Sequence, residues 1–153
     1  INIYSEEALI AKWQQVVNII SEIVEVPTAI ITKIYGEDIE VFVTSQNPNN
    51  PFKRGNRERY VASGIYCEEV IKSRSRLLVP NALNDDKWKN NPEISLNLIS
   101  YLGFPIMKRS GEIFGTICIL DRNENFFSKT YENLIIHLKE LIESHLELID
   151  IKV

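Results

Sequence analysis

The 153-residue sequence contains only two cysteines, Cys67 and Cys118, and only two histidines, His137 and His145. Two cysteines are too few for the disulfide framework of a small secreted domain, so we expect both to be reduced and buried. The histidines lie eight positions apart on a predicted helix, without the neighbouring ligands of a metal-binding motif. No disulfide and no metal are therefore predicted, and His145 is expected to be a packed or interface residue.

Long apolar runs and an excess of positive charge are also missing. No stretch approaches the roughly 18 consecutive apolar residues of a membrane span, and no signal peptide opens the chain. Seventeen Lys and Arg against 21 Asp and Glu give a net charge of −4, whereas a dedicated nucleic-acid-binding domain is usually basic as a whole. We therefore expect a cytoplasmic segment with no membrane span and no nucleic-acid partner.

The composition is that of an ordinary globular domain, with 44% hydrophobic and 25% charged residues. A chain of this length forms one core. It begins at Ile1 instead of Met, ends within a helical pattern and contains no internal repeat. We therefore expect residues 1–153 to be a single domain taken from a longer protein.

Apolar residues at helical spacing predict three helices, over residues 5–25, 63–73 and 128–150. Ser5 and Ser128 are the expected N-caps, and Pro27 ends the first helix. Each terminal helix carries two apolar stripes. On the first helix one stripe is Leu9, Trp13, Val16, Ile20 and Ile23, and the other is Ile10, Val17 and Val24. On the last helix one stripe is Leu134, Leu138, Leu141 and Leu148, and the other is Ile135, Ile142, Leu146 and Ile149. Such wide arcs are either buried within one chain or shared with a partner chain, and paired helical connectors favour the second interpretation.

Segments rich in β-branched residues predict a mostly antiparallel sheet of five or six strands. The expected strands are 28–35, 39–45, 76–80, 100–108 and 112–121, with a tight turn at Ser110-Gly111. Residues 46–60 are expected to form a long loop, and Asn91 to cap a short helix that begins at Pro92. Helices before, within and after the sheet make the fold class α+β.

Five sequence blocks in this order resemble the sensory GAF domains. They are residues 66–67, 78–82, 85–88 with 91–92, 101–106 and 115–121 (YC, LVPNA, DDKW with NP, YLGFPI and GTICILD). The flanking elements extend the resemblance over nearly the whole chain, although Asn81 stands where Asp is frequent and Trp88 where Phe is usual. The resemblance implies a PAS-related fold with the terminal helices on one sheet face and a small-molecule pocket on the other.

The candidate pocket residues are Tyr66, Cys67, Trp88, Tyr101, Gly103 and Cys118. The aromatic residues lie in blocks that cover the pocket in the resembling family, and Gly103 shares a strand face with Tyr101. The alternative for each is ordinary packing in the core, which is also the usual environment of a cysteine in mid-strand.

The resemblance further implies a regulatory module that binds an unidentified small molecule and is not itself an enzyme. The terminal helices would pair two copies and pass the signal to a covalently linked output domain, such as the histidine kinase of a two-component system or a diguanylate cyclase. One alternative is a free-methionine-sulfoxide reductase, which resembles GAF domains but has cysteines in glycine-rich segments that are missing here. Another is a dimerisation module without a ligand.

Two known ligand motifs of GAF domains are poorly matched or missing. The Asn-Lys…Phe-x-x-x-Asp-Glu signature of cyclic-nucleotide binding is matched only at Phe127 and Glu132, and no bilin-attachment motif occurs. Residues 53–76 carry seven basic and three acidic side chains, a local charge of +4. This stretch could attract an anionic ligand or an acidic partner, or it is simply a solvated loop and helix end.

Overall fold

The computed structural model describes residues 5–152, with the side chains of residues 5–149. Residues 1–4 and 153 of the predicted domain lie outside the described residues. The described residues form one sheet of six strands, which are β1 (Thr28–Tyr35), β2 (Asp38–Thr44), β3 (Arg57–Arg59), β4 (Leu77–Val79), β5 (Ser100–Met107) and β6 (Ile113–Asp121). Their order across the sheet is β3-β2-β1-β6-β5-β4. All five pairings are antiparallel. The helices are α1 (Glu6–Val24), α2 (Tyr66–Ser73) and α3 (Lys129–Lys152), so the predicted α+β class is confirmed.

Local signals in the sequence set the element boundaries. The Ser5 hydroxyl accepts the Ala8 N–H, and the Ser128 hydroxyl accepts the Tyr131 N–H, both at 3.2 Å. Both predicted N-caps are therefore confirmed. The side chain of Asn91 accepts the Glu93 N–H at 2.9 Å and starts a 3-10 helix over Pro92–Leu96. A second 3-10 turn, Ala82–Asn84, is capped by Asn81, one of the two positions that depart from the family pattern.

The prediction of an unbroken loop over residues 46–60 is wrong, because β3 lies within it. This short strand pairs with β2 at the sheet edge, with Arg57 opposite Glu40 and Arg59 opposite Asp38. Arg57 forms an ion pair with Glu40 at 3.5 Å, and Arg59 with Glu37 at 3.1 Å. All three β3 side chains are exposed and charged, so no apolar alternation marks the strand. The same ion pairs neutralise part of the predicted basic stretch.

The sheet separates two hydrophobic cores. On one face α1 and α3 pack together, and the fully buried Trp13 ring lies 5.7 Å from the rings of both Phe42 and Phe114. On the other face α2 covers a second core. Residues of β6 alternate between the two cores, with Ile117 in the first and Cys118 in the second. The predicted packing of both terminal helices on one sheet face is confirmed.

The helical layer keeps part of its apolar surface exposed. On α1, Ile19 and Ile23 are 52% and 48% exposed, and on α3 Leu141 and Leu148 are 46% and 36% exposed. The prediction that Ile23 shares a stripe with the buried Leu9 is wrong, because α1 also packs against α3, which turns Val24 inward and Ile23 outward. None of the described helices combines the length and the apolar character needed to span a bilayer.

Candidate functional site

A cavity of about 530 Å³ lies on the sheet face opposite the terminal helices. Its floor is formed by β1, β2, β5 and β6, and its walls by the start of α2, the 3-10 helix Pro92–Leu96 and the loop before β3. Volume and location both suit a small-molecule site, since such sites are concave, mostly apolar and furnished with a few polar groups. The apolar lining includes Ile30, Ile39, Val41, Phe52, Ile65 and Leu120.

Three of the six predicted pocket residues border this cavity, namely Cys67, Tyr101 and Cys118. The two cysteine sulfurs lie 4.0 Å apart, and both cysteines are free and buried. The Cys67 sulfur also lies 3.4 Å from the Tyr101 hydroxyl and 3.4 Å from the Thr116 hydroxyl. The sheet supplies three of these four groups, and α2 places Cys67 over them.

The two thiols differ in acidity. Hydrogen bonds with Cys118, Thr116 and Tyr101 stabilise the Cys67 thiolate against the effect of burial and lower the pKa of Cys67 to about 7. Burial, followed by the interaction with Cys67, raises the pKa of Cys118 well above its ordinary value. Cys67 is therefore the thiol that ionises first, and the negative charge on it then opposes ionisation of its neighbour.

The other three candidates do not border this cavity. Tyr66 and Trp88 pack behind it. The Tyr66 ring is stacked on the Tyr101 ring at 4.8 Å and tilted against the Trp88 ring at 5.2 Å. The Tyr66 hydroxyl donates to the Leu98 carbonyl at 3.0 Å, and burial raises the pKa of Tyr66 to about 12. Gly103 does share a strand face with Tyr101, but the Tyr101 ring lies directly over it, in the space that a Cβ would need. These residues support the Tyr101 wall from behind.

Glu93 is a cavity residue that the sequence analysis missed. Its side chain is only 8% exposed, and its Oε2 accepts the Tyr66 N–H at the start of α2 at 3.4 Å. Burial raises the pKa of Glu93 well above its ordinary value. The preceding Asn91-Pro92 motif marks the turn, but nothing in the pattern indicates a buried carboxyl, since Glu is almost never fully buried without a partner.

Neither histidine lies at the cavity. His137 is exposed, whereas His145 Nδ1 accepts the Trp13 indole N–H at 3.1 Å and joins α3 to α1. His145 is thus a packed histidine, as predicted. Within residues 5–149, no group of three or more His, Cys, Asp and Glu side chains could hold a metal ion.

Comparison with solved structures shows the same fold at low sequence identity. The GAF domain of an Acinetobacter phosphoenolpyruvate-protein phosphotransferase is 16% identical, with a TM-score of 0.71 over 90% of this chain and 81% of that one. The phycoerythrobilin-bound GAF domain of a cyanobacterial phytochrome is 12% identical, with a TM-score of 0.74 over 97% of both chains. Free methionine-R-sulfoxide reductase from Neisseria meningitidis is 12% identical, with a TM-score of 0.75 over 95% of this chain and 81% of that one.

Comparison with curated proteins gives no significant match. In contrast, the sequence model described as GAF domain matches residues 14–147, which include all six strands, α2 and the whole cavity lining. Most of the chain is covered by this match, and the structural neighbours agree with it. The protein therefore belongs to the GAF domain family.

Proposed function

We propose that this domain is a cytoplasmic sensor that binds a small molecule in the cavity under α2 and has no catalytic role of its own. The observation that carries the proposal is the cavity of about 530 Å³, which combines apolar walls with Cys67, Tyr101 and Glu93. Among the structural neighbours, the phytochrome GAF domain is described as phycoerythrobilin-bound, which supports ligand binding by this fold. The absence of a bilin-attachment motif favours a different, non-covalent ligand.

The sheet, and β6 in particular, would transmit ligand binding in the cavity to the terminal helices. Neighbouring residues of β6 point into opposite cores, Cys118 toward the cavity and Ile117 and Ile119 toward α1 and α3. Because Ile117 and Ile119 are fully buried against α1 and α3, a shift of β6 at the cavity changes the packing of the terminal helices. This mechanism requires a ligand with different affinities for the two arrangements.

We also propose that the exposed apolar residues of α1 and α3 pair two copies of the domain and connect them to an output domain outside this segment. A histidine kinase or a diguanylate cyclase would suit this arrangement. Within residues 5–149, Ile19, Ile23, Leu141 and Leu148 are the large apolar side chains of the two helices that stay exposed. If they form one patch, such a patch is typical of an interaction site.

Ligand binding is tested by mass spectrometry of the purified protein, first under native and then under denaturing conditions. We expect an added mass that appears only in the native spectrum, which would identify the class of ligand. If freshly purified protein and protein incubated with a cell extract of small molecules both give an empty native spectrum, the sensor proposal is wrong.

Dimerisation is tested by sedimentation velocity over a range of concentrations. We expect a dimer for the unmodified protein and a shift toward monomer for Ile19→Glu, because a charge would be buried at the interface. Leu83→Glu is the matched control, since Leu83 is similarly exposed at 53% but lies outside the helical layer. A monomer at every concentration would contradict the proposed pairing.

A further inference from the structure

The structure places two thiols where a covalent bond between them is within reach. The sulfurs of Cys67 and Cys118 lie 4.0 Å apart, and a disulfide requires a separation of about 2 Å. Rotation about the Cα–Cβ bond of a cysteine moves its sulfur by a comparable amount, and a small approach of α2 to the sheet supplies any further movement that the geometry of the bond requires. The two residues are 51 positions apart and belong to α2 and β6, so a bond would fix the helix to the sheet.

Hydrogen bonds around Cys67 favour its thiolate, which is the reactive form of a cysteine. The Thr32 hydroxyl oxygen accepts the Thr116 N–H at 3.0 Å and lies 2.7 Å from the Thr116 hydroxyl. Thr32 can therefore donate its hydroxyl hydrogen to Thr116, which leaves the Thr116 hydroxyl hydrogen free to point at the Cys67 sulfur. The Tyr101 hydroxyl, 3.4 Å from the same sulfur, supplies a second donor.

Both sulfurs are also within reach of a small oxidant. Cys67 and Cys118 are part of the cavity lining, and hydrogen peroxide, a molecule little larger than water, fits easily into a space of about 530 Å³. The cavity thus admits a peroxide to thiols that are otherwise enclosed by protein.

We propose that Cys67 and Cys118 form a peroxide-reactive dithiol that closes to a reversible intramolecular disulfide. In the first step the Cys67 thiolate attacks the O–O bond of hydrogen peroxide. An S–O bond forms, the O–O bond breaks, and the leaving hydroxide takes up the proton lost by Cys67 to become water. Cys67 is oxidised to a sulfenic acid by two electrons, which reduce the peroxide.

In the second step the Cys118 sulfur attacks the Cys67 sulfur. The S–S bond forms, the S–O bond of the sulfenic acid breaks, and the leaving hydroxide takes the Cys118 proton as a second water. The sum is two thiols and one peroxide giving one disulfide and two waters. A dithiol such as dithiothreitol reverses the reaction by thiol–disulfide exchange. This chemistry is independent of which small molecule the domain senses.

The test treats the purified protein with a small excess of hydrogen peroxide, alkylates it with iodoacetamide in denaturant and measures the intact mass. We expect a mass lower by two hydrogens, no alkylation of either cysteine, and recovery of both thiols after dithiothreitol. Trypsin should release residues 60–72 and 110–122 as one cross-linked product, because Cys67 and Cys118 lie in these peptides.

Two variants separate the roles of the thiols. In Cys118→Ser the oxidation should stop after the first step, at a Cys67 sulfenic acid that dimedone traps. In Cys67→Ser the same treatment should leave Cys118 unmodified. The proposal is overturned if the unmodified protein keeps two alkylatable thiols, forms only disulfides between chains, or loses Cys118 before Cys67. Because the decisive mass is that of the unmodified protein, poor folding of a variant does not obscure the result.

Discussion

Glu93 illustrates how the fold changes the chemistry of a single residue. The carboxyl is buried beneath the first turn of α2, where it accepts one long hydrogen bond, and its pKa is raised well above the ordinary value because the charged form loses hydration. The folded state therefore keeps a proton that the unfolded state has released. It follows that Glu93 lowers the free energy of unfolding as pH rises above the ordinary pKa of a carboxyl.

Because charged Glu93 lowers the free energy of unfolding, we expect Glu93→Gln to stabilise the fold at neutral pH. The amide keeps an oxygen that can accept the Tyr66 N–H but carries no charge to desolvate. We expect the variant to be more stable at about pH 7.5, by on the order of 1 kcal/mol or about 2–4 °C in Tm. The difference should largely vanish at about pH 4, where Glu93 is protonated in the folded state and mostly protonated in the unfolded state.

Thermal denaturation at the two pH values is the measurement, with Glu58→Gln as control. Glu58 also borders the cavity but is exposed on β3, so its neutralisation should change Tm little at either pH. A lower Tm for Glu93→Gln at about pH 7.5 would contradict the account, because it would mean that a charged Glu93 stabilises the fold.

Single residues of the site could be predicted from the sequence only in part. Cys67 and Tyr101 stand in blocks that resemble the GAF pattern, and the structure places both at the cavity. Glu93 could not be predicted, because its burial depends on the packing of α2 against the 3-10 helix Pro92–Leu96. Gly103 shares the predicted strand face with Tyr101 but does not line the cavity as predicted, because the Tyr101 ring covers it.

Secondary-structure elements were predictable where one local signal dominates. The caps Ser5, Ser128 and Asn91 form the expected hydrogen bonds, since an N-cap depends on residues only two or three positions away. β3 was missed because a three-residue charged edge strand is defined by its partner β2, not by its own pattern. The buried arc of α1 was partly misassigned because a helix that contacts both a sheet and another helix buries more than one stripe.

A hydrogen bond between Trp13 and His145 joins the two terminal helices. His145 Nδ1 accepts the indole N–H of the fully buried Trp13, so His145→Ala removes the partner of a polar group on a buried side chain. We expect a loss of stability of about 1–3 kcal/mol. His137→Ala, an exposed histidine of the same helix, is the matched control and should change stability little.

The same pair has a defined pH dependence. Burial, assisted by the charge of Lys12, lowers the pKa of His145, so as pH falls the unfolded state binds a proton before the folded state does. The stability contributed by neutral His145 is therefore present above about pH 6.5 and declines as pH falls below it. Urea denaturation at about pH 7.5 and pH 5.5 should give a smaller difference between His145→Ala and the unmodified protein at the lower pH. An equal or larger difference would contradict this assignment of the hydrogen bond.

At the scale of the whole molecule, one sheet joins two layers with different chemistry. The helical layer is apolar inside and partly apolar outside, whereas the α2 layer encloses thiols, a carboxyl and aromatic side chains around a cavity. The overall α+β architecture could be predicted because its hairpins and long helices are strongly patterned. The resemblance to GAF domains also predicted a pocket on the sheet face opposite the terminal helices. Its volume and full lining could not be predicted, because they depend on how far α2 and the loop before β3 stand from the sheet.

If the domain is a sensor as proposed, the cavity under α2 is the place where its small molecule binds. The most direct measurement compares native mass spectra of the unmodified protein and two variants. In Val41→Phe a larger side chain on β2 fills part of the cavity. Leu83→Phe is the control, because it makes a similar change at an exposed residue outside the cavity. All three should fold, as checked by circular dichroism. We predict a non-covalent adduct on the unmodified protein and on Leu83→Phe, and its loss from Val41→Phe. An adduct that persists on folded Val41→Phe, or none on the unmodified protein, would contradict the account.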